Sequence, residues 1–231
     1  DLYPFERTIA SPGVTRSEAV EQIDIGGPAM IRSAAKNHDR VAVITTPSQY
    51  TALLDEVNAH GGTSLELRAR LAAAAFARTS AYDAAIATYL ASHEGDDELP
   101  DRITVAFDRC GTLRYGENPH QAAAPYRDPS YGGPTVLGVE PLHGKALSYN
   151  NLADASAALE LALDLARASD AIGATVIKHA NPCGAATAAS ARDAIDAALL
   201  GDPIAAFGGI VACSQEIDLT AAERLCDKGL F

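Results

Sequence analysis

Lys178-His179-Ala180-Asn181-Pro182-Cys183-Gly184 is the stretch whose reading decides the fold. It follows Ala174-Thr175-Val176-Ile177, a short β-prone apolar run, and precedes an Ala-rich, helix-prone segment that opens near Ala189. This pattern predicts strand, then turn, then helix, the place where open α/β sheets put their ligand sites. Neighbouring strand residues point to opposite faces, so Lys178 and His179 serve one pocket only if the chain leaves the extended conformation there. Asn181-Pro182 and Gly184 supply the turn chemistry. A cation beside an imidazole at a strand end suits deprotonation of a weak nucleophile and stabilisation of a developing oxyanion. The same pair also reads as a loop lysine and a hydrogen-bonded histidine, and the septet alone leaves both open.

Three further motifs surround it. Upstream lie Arg114-Tyr115-Gly116-Glu117-Asn118-Pro119-His120-Gln121 and Leu147-Ser148-Tyr149-Asn150-Asn151-Leu152; downstream lies Ala206-Phe207-Gly208-Gly209-Ile210-Val211-Ala212. Four motifs in this order over roughly 100 residues resemble the bifunctional purine-biosynthesis family, which joins AICAR transformylase to IMP cyclohydrolase.

Composition bounds the rest. The 231 residues are 48% hydrophobic and 21% charged, as in an ordinary globular protein, and allow one large domain or two modest ones. A formal charge of −12 argues against a nucleic-acid surface, yet leaves room for a small anionic ligand held by a few local cations and N–H groups. Cys110, Cys183, Cys213 and Cys226 are too widely spaced for a metal clip and read as reduced thiols, so no metal is expected. Cys183 adjoins the Lys-His pair, but its neighbours Pro182 and Gly184 supply no base for a thiol nucleophile. No apolar run reaches membrane length, and a cytoplasmic location is expected.

The N-terminal half carries its own signals. Leu2-Tyr3-Pro4-Phe5 reads as the end of a buried strand entering a turn, and Thr15-Arg16-Ser17-Glu18 as a capping box opening a helix to about Gln22. Pro28 fits a helix's first turn, and Gly26-Gly27 before it lets a ligand approach the backbone at an anion-friendly helix start. Lys36 lies eight residues beyond Pro28, about 12 Å along a straight helix. Val41 to Ile44 reads as a buried strand and Ser48 to Ala59 as a helix stopped by Gly61-Gly62. Thr63 to Glu66 reads as a second capping box, opening a helix to about Leu90. The acidic, polar stretch 92–102 is the expected linker. Beyond it, Ile103 to Phe107 reads as a strand and Arg114 to Gln121 as an irregular loop. Leu152 to about Ala168 reads as a helix capped by Asn150 or Asn151, and Ala191 to Leu200 as another; Gly208 to Ala212 supplies a strand. Asp1 in place of Met, and a helical pattern ending at Leu230-Phe231, read as two cuts through a longer protein.

The resemblance implies more than the patterns do. Asp1-Leu2-Tyr3-Pro4-Phe5 is similar to the family's Asn-Leu-Tyr-Pro-Phe, with a carboxylate that cannot donate replacing an amide that can. Ile23-Asp24-Ile25-Gly26-Gly27 and Ala35-Lys36-Asn37-His38 are similar to two further cyclohydrolase motifs, as is Ala75 to Asp83. The implied fold class is α/β. Residues 1–100 would form the C-terminal part of a methylglyoxal-synthase-like cyclohydrolase domain, and 101–231 the first part of a cytidine-deaminase-like transformylase domain. Implied catalytic residues are Lys178, His179, Tyr3, Asp24 and Lys36. Implied substrate contacts are Arg114, Tyr115, Asn151, Gly26, Gly27, Asp1 and Asn37. Either catalysis or loop orientation is open to His120. The implied ligands are AICAR, formyl-AICAR and IMP, with 10-formyltetrahydrofolate as co-substrate, in a homodimer without nucleic acid or membrane. The competing reading is a non-catalytic fragment that binds nucleotide or builds a dimer interface.

Overall fold

The computed structural model describes residues 1–92, 101–137, 139 and 141–227, and shows a mixed α/β chain. It divides into two compact units, Asp1–Ala106 and Phe107–Phe231. Residues 93–100 of the expected linker lie outside the described residues.

The described part of the first unit is helical. Helix α1 (Phe5–Ile9) leads to α2 (Arg16–Glu21), whose Thr15–Glu18 capping box forms reciprocally, as the spacing predicts. Helix α3 (Gly26–Lys36) has Pro28 in its first turn. A short 3₁₀ turn (Pro47–Gln49) then feeds α4 (Tyr50–His60), which stops at Gly61 with a left-handed φ of 71°. The long helix α5 (Leu65–Ala91) supplies the floor. Leu2, Phe5, Ala19 and Tyr82 form one core cluster, in which Phe5 meets the Tyr82 and Tyr89 rings edge-on at 6.1 and 5.6 Å. Ala35, Ala72 and Ala75 form the other, where alanines let α3 and α5 approach closely.

Three expectations fail in this unit. Leu2 to Phe5 is not a strand end; Pro4 caps α1, and Leu2 and Phe5 are buried as core anchors. Val41 to Ile44 forms no strand: a strand needs a ladder partner, and none lies beside it among the described residues. The cap of α5 is Ser64, not Thr63; its Oγ accepts the Leu67 N–H, while Glu56 accepts both the Ser64 N–H and hydroxyl.

In the second unit a small ribbon joins β1 (Asp108–Arg109) antiparallel to β2 (Tyr126–Arg127). The expected strand 103–107 is absent, and Ile103, Val105 and Phe107 are exposed. Helix α6 (Tyr149–Ser169) starts three residues before the expected position. Ser148 is its cap and Asn151 the reciprocal partner at its third residue. Then follow β3 (Ile172–Lys178), β4 (Asn181–Ala188), α7 (Ala191–Leu199), β5 (Ile210–Cys213) and α8 (Leu219–Asp227).

The sheet order is β4-β3-β5, antiparallel throughout. The expected sequence of strand, turn and helix is therefore corrected to strand, turn, strand and then helix. Lys178 pairs with Asn181, and the two residues between them, His179 and Ala180, both have positive φ (54° and 57°). Two successive left-handed residues make a primed hairpin turn, which folds the chain back onto β3. Pro182 is tolerated because β4 is an edge strand, and the register shift at Val176/Ile177 leaves Cys183 as the extra, bulged residue.

Central strand β3 is buried on both faces. Ala174 and Val176 join Ala191, Ala194, Ile195 and Ala198 of α7 in the core. On the opposite face Thr175 donates to the Ala158 carbonyl of α6 at 2.9 Å, and a Cβ at Gly173 would strike the Ala162 carbonyl. The result is helix, sheet, helix, with the β3–β4 turn and the start of α6 at one end.

Candidate active site

In the first unit two of the candidate site residues, Tyr3 and Gly27, gather around a third, Asp24. Its Oδ2 accepts the Tyr3 N–H at 3.2 Å, and its Oδ1 accepts the Gly27 N–H at 2.7 Å, satisfying one of the donors that a helix start leaves open. Its own N–H donates to the Tyr82 hydroxyl at 2.8 Å. The two glycines differ: a side chain at Gly27 would collide with the Asp24 carboxylate, whereas a Cβ at Gly26 would meet open space. The backbone at the helix start is therefore open at Gly26 and covered at Gly27. Asp1 accepts the adjacent Leu2 N–H at 2.9 Å, and the Tyr3 side chain is exposed.

Lys36 and Asn37 are not brought to this cluster. Helix α3 is continuous from Gly26 to Lys36, which places Lys36 about 15 Å along the axis from the Asp24 end. Asn37 spends its amide on the Ser33 carbonyl at 2.7 Å.

In the second unit three of the four motifs converge. Lys178 at the end of β3 donates its ammonium to the Phe207 carbonyl at 2.9 Å, so the Ala206–Ala212 motif fixes the cation. His179, next in the chain, is exposed in the left-handed turn. This is the departure from extended backbone that frees the two side chains from opposite faces. Asp154 of α6 accepts the Ala180 N–H at 2.7 Å, and Asn181 Nδ2 donates to the His179 carbonyl at 2.8 Å. Asn151 lies three residues before Asp154, on the same face of α6. Its Oδ1 accepts the Ser148 N–H and hydroxyl at 3.2 and 2.9 Å, and no such contact engages its Nδ2 among the described residues.

The fourth motif forms the irregular loop its composition predicts. Gly116 N–H donates to the Gln121 carbonyl at 2.7 Å, and the Arg114 guanidinium lies 5.5 Å from the Tyr115 ring centroid. Arg114 and His120 are exposed, and no hydrogen bond among the described residues joins them to Lys178, His179 or Asn151. Cys183 is a free, half-buried thiol packed against the α7 core cluster. Gly184, next to it, is required by packing: a Cβ there would strike the Ala198 carbonyl.

Sequence reasoning missed three participants: the Tyr82 hydroxyl, the Phe207 carbonyl and the Asp154 carboxylate. Only Asp154 left a signal, its three-residue spacing from Asn151. Among the described residues, no group of three or more His, Cys, Asp or Glu side chains stands close enough to hold a metal, and no helix is long and apolar enough to cross a membrane.

Comparison with known proteins gives the family. Residues 34–230 match the family described as the AICARFT/IMPCHase bienzyme. The chain is 48% identical over 231 residues to the bifunctional purine biosynthesis protein PurH of Rhodopirellula baltica, covering 100% of this chain and 43% of that protein. It is 46% identical over 225 residues to the PurH proteins of Bacillus mycoides and Listeria monocytogenes, covering 97% of this chain and 43% of each. The chain thus spans less than half the length of these relatives. With one match running from the end of α3 through the Lys178-His179 hairpin and beyond β5, the chain belongs to the AICARFT/IMPCHase bienzyme family.

Proposed function

We propose that the protein containing this chain catalyses the last two steps of de novo IMP synthesis. In the first, a formyl group passes from 10-formyltetrahydrofolate to the 5-amine of AICAR; in the second, formyl-AICAR closes to IMP with loss of water. Residues 1–100 belong to a methylglyoxal-synthase-like cyclohydrolase domain and 101–231 to a cytidine-deaminase-like transformylase domain. The protein acts in the cytoplasm as a homodimer.

The observation that carries the formyl-transfer assignment is the hairpin end: Lys178 is fixed on the Phe207 carbonyl, and His179 is exposed beside it in a left-handed turn. The AICAR amine is conjugated with its imidazole ring and is a poor nucleophile. As its nitrogen bonds to the formyl carbon, His179 takes the amine proton and Lys178 faces the charge growing on the formyl oxygen. The bond from the formyl carbon to the folate nitrogen then breaks, and that nitrogen takes up the proton removed from the amine, which completes the transfer. Arg114, Tyr115 and Asn151 hold the nucleotide; a guanidinium fork suits its phosphate. In ring closure the carboxamide nitrogen attacks the formyl carbon within one molecule, so orientation supplies much of the rate. Gly26, Gly27 and Asp1 orient the substrate, and Tyr3 and Asp24 handle protons and charge; Lys36 and Asn37, about 15 Å away along α3, join such a site from the second copy of the homodimer.

Separating the two activities tests the assignment. In the full-length protein, His179→Ala abolishes formyl transfer and spares ring closure, while Lys36→Ala or Tyr3→Phe does the reverse. Comparable loss of both activities in a folded His179→Ala protein overturns it.

A further inference from the structure

The turn that carries His179 is unusual in composition. Primed two-residue hairpin turns favour Asn-Gly or Gly-Gly, because both central residues need positive φ. Here the pair is His-Ala, with φ of 54° and 57°, and neither residue is glycine. A Cβ is disfavoured in this conformation, and such residues persist only where their surroundings hold them. The β3–β4 ladder closes with Lys178 and Asn181 and does not engage the Ala180 N–H. That donor goes instead to Asp154 Oδ1 at 2.7 Å, on the first turns of α6. The contact spans 26 residues of sequence and links the turn to the face of α6 that carries Asn151.

We propose that Asp154 is a positioning residue for formyl transfer: by accepting the Ala180 N–H, it holds the His179-Ala180 turn in its left-handed form and sets where His179 stands relative to Lys178. This rests on the reading of Lys178 and His179 as the transformylase pair. Asp154 need not touch substrate. It works through the backbone, and the property it requires is an acceptor oxygen rather than a negative charge. The strained turn is one that a glycine in place of Ala180 would adopt without help.

The test compares Asp154→Ala, Asp154→Asn and the double variant Asp154→Ala/Ala180→Gly in the full-length protein, with both half-reactions assayed on each preparation. Asp154→Ala lowers the formyl-transfer kcat by about 10- to 100-fold, the scale of a small misplacement of a catalytic group, and leaves ring closure unchanged. Asp154→Asn keeps an acceptor oxygen and retains activity. Adding Ala180→Gly to Asp154→Ala restores most of the loss, a recovery that a general packing role for Asp154 would not produce. Should Asp154→Ala fail to fold, Asp154→Leu, of similar size and without an acceptor, gives the same comparison.

Normal formyl transfer in the Asp154→Ala variant, equal loss in Asp154→Asn, or no recovery on adding Ala180→Gly overturns the proposal. His179→Ala run alongside separates the two failures. If it stays active, the transformylase reading itself falls; if it is inactive while Asp154→Ala is normal, only the positioning role falls.

Discussion

The Tyr82 hydroxyl accepts the Asp24 N–H at 2.8 Å and donates to the Gln22 carbonyl at 2.9 Å, from a fully buried ring. Helix α5 thereby fixes the loop before α3, and Asp24 in turn binds Tyr3 and Gly27. Burial, with the nearby Asp24 and Glu6 charges, pushes the Tyr82 phenol above its ordinary value, so the neutral hydroxyl is the form folding selects. The sign follows: a raised folded value favours the native state below the unfolded tyrosine value, about 10, and this contribution is lost as pH rises through the folded value.

Tyr82→Phe keeps the edge-on contact with Phe5 and strands the Asp24 N–H. The expected cost is about 1–3 kcal/mol, read as a lower urea midpoint with an unchanged slope. Under the proposed assignment, ring closure should fall while formyl transfer, assigned to the other unit, stays as it was. A midpoint equal to wild type would show that water replaces the hydroxyl at no cost.

The glycines of the two sites are predicted to respond differently. Gly184→Ala drives a methyl into the Ala198 carbonyl, backbone against backbone, and should destabilise the second unit by about 3 kcal/mol or more. Gly26→Ala meets open space at the start of a helix and should leave the melting temperature nearly unchanged. Any loss of ring closure in Gly26→Ala is then a loss of ligand approach. Calorimetric melts beside ring-closure assays separate the cases.

Several elements were legible in the sequence because their determinants are local. The Thr15–Glu18 box and the Gly61 stop each depend on residues within one turn of the boundary, and both form as their spacing predicts. The hairpin was not legible for the opposite reason. Asn181 to Ala188 is built largely from Asn, Pro, Gly and Ala, which single-strand preference rejects, and pairing with β3 imposes the strand. Val41 to Ile44 shows the converse, β-branched residues without a ladder partner among the described residues. The Lys178-His179 pair stood out as a candidate by residue type, but its anchors did not. The Phe207 carbonyl carries no residue-type signature, and Asp154 reaches the turn across 26 positions.

Acid should loosen the first unit through its caps. Hydrogen bonds from the Thr15 N–H and hydroxyl hold Glu18 below the ordinary carboxylate value, and the Ser64 N–H does the same for Glu56. A depressed folded value gives stability that is present above the unfolded value, about 4.3, and lost as pH falls through the folded one. The melting temperature should therefore drop on going from neutral pH to below about pH 4, and Glu18→Gln/Glu56→Gln should flatten that drop. Both carboxylates are exposed, so the effect should also shrink in high salt. An equally steep fall in the double variant would move the acid sensitivity elsewhere.

The last prediction separates the two duties of Asn151. Its Oδ1 completes the Ser148 capping box, and its Nδ2 is the group that the proposed function assigns to the nucleotide. Asn151→Asp keeps an acceptor in the box and places a carboxylate at a helix N-terminus, where it is favoured, so stability should hold. The same change deletes a donor and brings negative charge toward a phosphorylated ligand. AICAR affinity should fall by about 10- to 100-fold, one charge-assisted hydrogen bond's worth. Asn151→Ala should lose both properties, with about 1 kcal/mol of helix stability gone as well. Titration calorimetry with AICAR beside thermal melts of the two variants makes the comparison. Full affinity in a stable Asn151→Asp protein would confine Asn151 to the cap and leave the nucleotide to Arg114 and Tyr115.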